Sequence, residues 1–170
     1  RGAGQRAFGA AFKSEFGLVD ACGDTDFAGR TDRGLATDIL TANQLEPSPA
    51  NIQRVFKGYL RWLAELLPTD HCEPLPGVRP LIEGLRALSE PPVIGLLTGN
   101  HSKGAKLKLV HFNIWDEFAW GAFGETHDTR DDMAHHALDL AREKMGTDLK
   151  PAEILVIGDT QRDIQCAQAI

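Results

Sequence analysis

Two short apolar runs, "VIGLL" at Val93–Leu97 and "ILVI" at Ile154–Ile157, do not alternate polar with apolar residues, and each leads into a polar loop followed by a helical pattern. A strand that is apolar on both faces must be covered on both faces, which is the condition of a parallel sheet flanked by helices. The expectation is an α/β fold with a Rossmann-like, doubly wound parallel sheet. The spacing predicts a helix from Val78 to about Ser89, the strand Val93–Leu97, a helix near Lys103–Val110, a short strand around Phe118–Phe123, a helix Asp131–Met145, the strand Ile154–Ile157 and a helix from about Arg162.

The region before Val78 is built differently. Phe8, Phe12 and Phe16 recur every four residues and stop at Gly17, Thr31-Asp32 offers a helix start ahead of Leu35, Ile39 and Leu40, and Ile52, Val55, Phe56, Tyr59, Leu60 and Leu63 share one face of a helix from about Ala50 to Leu67. No strand is expected there. The stretch "LPTDHCEPLPGV", Leu67–Val78, holds Pro68, Pro74, Pro76 and Gly77 and breaks any regular element. Residues 1–73 are therefore read as a helical domain and residues 74–170 as the α/β domain.

In open parallel sheets ligands bind outside the carboxyl ends of the strands. Thr98-Gly99-Asn100 follows the first run and Gly158-Asp159-Thr160, then Asp163, follows the last. A hydroxyl with free backbone amides suits an oxyanion, and two carboxylates suit a hard cation such as Mg²⁺ that is shared with substrate phosphate. Arg130, just ahead of a predicted helix, offers a cation to offset phosphoryl charge, with Lys103 and Lys106 as rivals.

"LLTGN" at Leu96–Asn100 and "VIGDTQRDI" at Val156–Ile164, preceded by a helical block joined through "LPGV", resemble the haloacid dehalogenase-like hydrolase superfamily, near its phosphoglycolate-phosphatase-like branch. The resemblance implies that Thr98, with Gly99 and Asn100, binds a phosphoryl group and that Asp159 holds Mg²⁺ with Asp163 supporting it. It also implies a basic residue between those motifs, for which Arg130 is chosen, and a helical cap whose "FAGRTD" segment, Phe27–Asp32, faces the substrate. Arg30 would meet the substrate from that segment. The implied activity is Mg²⁺-dependent hydrolysis of a small phosphorylated metabolite through an aspartyl-phosphate.

The superfamily's Asp-x-Asp-x-Thr nucleophile motif is not found. "DTDFA" at Asp24–Ala28 has the aspartate spacing but ends in Ala and follows no apolar strand. The attacking aspartate is therefore expected upstream of Arg1, and the chain is expected to be an excerpt truncated at both ends. Taken as complete, it would be a non-catalytic α/β binding module.

Other patterns carry less. "GAGQRA", Gly2–Ala7, matches a dinucleotide fingerprint with Asp24 or Asp26 about twenty residues on, which would make the chain part of an oxidoreductase, but no strand precedes it. "GNHSKGAK", Gly99–Lys106, has Ala105 where a phosphate loop needs lysine. His127, His135 and His136 are read as solvated surface, and Trp62, Trp115 and Trp120 as core or domain interface. A net charge of −6 with no basic run excludes a duplex nucleic-acid partner. Three widely spaced cysteines and no long apolar segment lead to the expectation of a cytoplasmic protein with no membrane partner.

Overall fold

The computed structural model describes residues 2–170. Among these, three α-helices build the first half: α1 (Ala3–Phe16), α2 (Asp32–Ala42) and α3 (Pro49–Leu66). Each has a local reason to start or stop. Gly17 ends α1 in the left-handed conformation, with its N–H on the Lys13 carbonyl and that of Leu18 on the Phe12 carbonyl; Thr31 Oγ1 accepts from Gly34 N at 3.0 Å to start α2; Ser48 caps α3 ahead of Pro49. The apolar faces of the three helices meet in one core around Phe8, Phe12, Ile39, Leu40, Val55, Tyr59 and Leu63, all but closed to solvent.

The second half follows as α4 (Val78–Arg86), β1 (Gly95–Thr98), α5 (Ser102–His111), β2 (Trp120–Phe123), α6 (Arg130–Met145) and α7 (Gln161–Ala169). β1 and β2 pair in parallel, with Gly95 opposite Trp120 and Thr98 opposite Phe123. Ala122 packs beneath them on Met133 and Ala137 of α6. The helical and α/β halves touch where α3 packs on the helix that follows β1 and at the start of α2, where the N–H of Asp32 donates to the Gly99 carbonyl at 2.6 Å, that of Arg33 donates to the Gly124 carbonyl at 3.0 Å, and Thr31 Oγ1 donates to the Asp128 carbonyl at 2.9 Å.

Three expectations need correction. Among the described residues the sheet has two strands, and Ile154–Ile157 is not one of them: it belongs to no ladder, and Leu155 and Ile157 are 81% and 58% exposed. An apolar run becomes a strand only when a neighbour takes up its backbone hydrogen bonds, and none lies beside this one. Thr98 is the last residue of β1, where it was expected just beyond the strand. Arg130 is the first residue of α6, where it was expected ahead of the helix, because Thr129 already serves as the cap and its hydroxyl accepts from Asp132 N at 3.2 Å.

Candidate active site

A cavity of about 410 Å³ opens where the end of β1, the start of α6, the loop after Ile157 and the helical half converge. Thr98, Gly99, Asn100, Arg30, Arg130, Asp159 and Asp163 all line it. These residues span more than 130 positions of sequence, and each arrives by a separate local device.

Asp163 sits in the first turn of α7, where its Oδ2 accepts from Thr160 N at 3.0 Å and from Thr160 Oγ1 at 2.7 Å, so one carboxylate oxygen completes a capping box. Its Oδ1 accepts from Arg130 Nη2 at 2.6 Å, while Arg130 Nε donates to the buried Cys166 Sγ at 3.3 Å. Arg130 is thereby fixed at two of its three nitrogens with its side chain only 11% exposed. Asp159 is the opposite case: it is exposed, and its carboxylate engages no partner among the described residues. Arg30 pairs with Asp38 in the second turn of α2.

The expectation of free backbone amides after β1 is corrected for four of them, while the Gly99 N–H engages no partner among the described residues. The N–H groups of Asn100 and Lys103 turn back on the local side chains of Thr98 and His101, that of His101 donates to Asp32 Oδ2 at 2.7 Å, and that of Ser102 donates to Glu125 Oε2 at 2.5 Å. Carboxylates already occupy the positive end of α5.

Sequence reasoning missed the polar group on the far wall. Asp32 of α2, Tyr59 of α3 and Lys108 of α5 all border the cavity; Asp32 and Tyr59 are 6% and 1% exposed, and the Tyr59 hydroxyl donates to Asp32. Lys108 Nζ donates to Asn100 Oδ1. Burial pushes the Lys108 ammonium below its ordinary range and the nearby Asp32 charge opposes that; burial, then Asp32, pushes the Tyr59 hydroxyl well up. The rivals Lys103 and Lys106 face solvent, and Lys106 lies over the Trp115 ring at 5.6 Å.

Burial raises the Asp32 carboxyl from 3.8 to about 6, against the opposing pull of the His101 N–H and Lys108. A carboxyl that holds its proton more tightly when folded adds stability below its unfolded value, and that contribution is lost as pH rises through 6. The difference in unfolding free energy between wild type and Asp32→Asn should therefore change by about 2 kcal/mol between about pH 4.5 and about pH 7, with wild type losing ground as pH rises. Urea denaturation at the two pH values reads this directly, and a constant difference contradicts it.

Two other patterns resolve. Asp24 and Asp26 lie in an exposed turn; Asp26 accepts from Ala28 N at 2.9 Å and pairs with Arg162 at 3.3 Å, outside the cavity. His127 and His136, expected on solvated surface, are half-buried with ring centroids 4.9 Å apart, and only His135 points outward. Packing of the loop before α6 against the helix explains the difference. No group of three ligating side chains suited to a metal occurs among the described residues.

The family model of haloacid dehalogenase-like hydrolases matches residues 5–170. The chain belongs to the haloacid dehalogenase-like hydrolases. No curated protein matches it. As a haloacid dehalogenase-like hydrolase it is an enzyme of the hydrolase type, with a parallel-stranded α/β core. The glycine pattern Gly2–Ala7 then needs no dinucleotide: it opens α1, where Gly4 leaves room for Lys108, whose Nζ lies 3.2 Å from the place a Cβ on Gly4 would take. Among the described residues of this hydrolase no helix is long and apolar enough to cross a membrane.

Proposed function

We propose that the protein is a Mg²⁺-dependent phosphomonoester hydrolase acting on a small phosphorylated metabolite, such as phosphoglycolate, in the cytoplasm. The observation that carries this reading is the convergence of a hydroxyl (Thr98), a fixed guanidinium (Arg130) and an unengaged carboxylate (Asp159) on one cavity.

The donor set fits Mg²⁺, which is commonly held by one or two carboxylates with substrate phosphate and water completing its shell. Asp159 would hold it, and the free state of its carboxylate beside the cavity supports that choice. When bound, the ion would neutralise charge on the phosphoryl group. Asp163 supports the site indirectly, since its two oxygens orient Arg130 and Thr160. Arg130 Nη1, which engages no partner among the described residues, is left to donate to a phosphoryl oxygen. Thr98 and the Gly99–Asn100 turn bind the other side of that group, and Arg30 contributes from the helical half.

Residues 1–73 act in this reading as a cap over the core of residues 74–170, excluding water once the Gly29–Arg33 loop lies on Gly99 and Gly124; the direct backbone hydrogen bonds across that junction support it. The resemblance implies an aspartyl-phosphate intermediate. Its attacking carboxylate is assigned to none of the described residues: Asp163 and Asp32 are hydrogen-bonded and Asp159 has the metal role.

Phosphate release by the full-length protein from a panel of small phosphomonoesters, with Mg²⁺ and with EDTA, tests the reading. Turnover that needs Mg²⁺ is expected. Phosphate binding without turnover would instead favour a non-catalytic binding module.

A further inference from the structure

We propose that Lys108 is a positioning residue of this site: by fixing the amide of Asn100 it turns the hydroxyl of Thr98 into a hydrogen-bond donor aimed at the bound phosphoryl group. The inference rests on the phosphoryl-binding reading above and adds to it a residue that acts through Asn100.

The argument is one of donors and acceptors. A lysine ammonium has donors only, so the Asn100 atom that faces Lys108 must be Oδ1. That choice leaves Asn100 Nδ2 toward Thr98, where it donates to Oγ1 at 2.8 Å. The backbone N–H of Asn100 donates to the same oxygen at 3.3 Å. A hydroxyl accepts at two lone pairs and donates once, so with both lone pairs engaged the Thr98 proton must find another acceptor. Thr98 borders the cavity, and phosphoryl oxygens are acceptors only. Lys108 itself is held in place from the helical half, between Gly4, the Tyr59 hydroxyl and the charge of Asp32. Without Lys108 the Asn100 amide is free to turn over, presenting Oδ1 to Thr98 and drawing the hydroxyl proton away from the site.

Asn100→Asp separates this role from a structural one. The substituted side chain still accepts from Lys108, so the fold keeps its contact, but it offers Thr98 an acceptor in place of a donor. Calorimetric titration of the full-length protein with inorganic phosphate at fixed Mg²⁺ should show affinity weakened roughly ten- to hundredfold, the value of one hydrogen bond to a charged group, with no fall in melting temperature. A new negative charge would also repel phosphate, so the substitution is repeated in Thr98→Val. If Asn100→Asp acts through the hydroxyl, its effect largely vanishes in that background; an equal effect in both backgrounds overturns the proposal. Lys108→Met should weaken phosphate binding in the same direction and Lys108→Arg should restore it. Wild-type binding left unchanged by both Asn100→Asp and Lys108→Met overturns this inference alone. Absence of phosphate binding in wild type overturns the phosphoryl-site reading and this inference with it.

Discussion

Asp159→Asn should reduce Mg²⁺-dependent phosphate release by the full-length protein at least about a thousandfold while leaving the melting temperature within about 2 °C, the behaviour of a surface change away from packing. Stability is spared because the Asp159 carboxylate is exposed and bonded to nothing among the described residues. Activity is not spared, because the amide that replaces it is neutral and binds Mg²⁺ far more weakly than an ionised carboxylate. Steady-state assays across a Mg²⁺ titration check both parts. Retained turnover at the ordinary Mg²⁺ concentration would remove Asp159 from the metal role.

Gly99→Ala should have the largest structural effect of any single methyl added to this chain's site. A Cβ there would fall 2.0 Å from the Arg30 carbonyl oxygen and 2.8 Å from its carbon, and both are backbone atoms with no flexible side chain to yield. The Gly29–Arg33 loop must lift away, which breaks the Asp32 N–H bond to the Gly99 carbonyl and strips the buried Asp32 carboxylate of the His101 N–H. A backbone clash joined to a buried carboxylate that loses one of its donors belongs to the severe class of substitutions, about 4 kcal/mol or more. For a chain of this length that is a fall of roughly 10 °C in melting temperature, with loss of activity because the Gly29–Arg33 loop no longer seats on the cavity's edge. Gly84→Ala is the control: it lies in α4 with nothing within 4 Å of the added Cβ, and it should be neutral or stabilising by up to about 1 kcal/mol.

The legible parts of this molecule are those set by local chemistry. Thr31 and Gly17 mark helix ends through their own hydrogen bonds or backbone conformation, and helices α1 to α3 follow from the four-residue recurrence of Phe8, Phe12 and Phe16, from Leu35, Ile39 and Leu40, and from the single face of Ile52 to Leu63. Thr98 and Asp159 stand out by position, each at the end of an apolar run, and both border the cavity. What was not legible depends on long-range packing. Lys103, Lys106 and Lys108 look alike along α5, and only the arrival of Tyr59 and Asp32 from the other half selects Lys108. Asp32 reads as a helix-start acid until the loop before α2 is seated on Gly99, which buries it. Ile154–Ile157 reads as a buried strand, yet strand formation needs a neighbour that no local pattern supplies, and Leu155 lies in solvent.

The central claim is that Thr98, Arg130 and Asp159 form one site for a phosphoryl group and Mg²⁺ together. Two ligands that share a site change each other's affinity by the same factor, and a cation beside an anion raises it. Titrating the full-length protein with inorganic phosphate in EDTA and again in saturating Mg²⁺ measures that factor directly. The account predicts phosphate binding strengthened at least tenfold by Mg²⁺, with the strengthening lost in Asp159→Asn; phosphate affinity that is the same with and without the ion would contradict it.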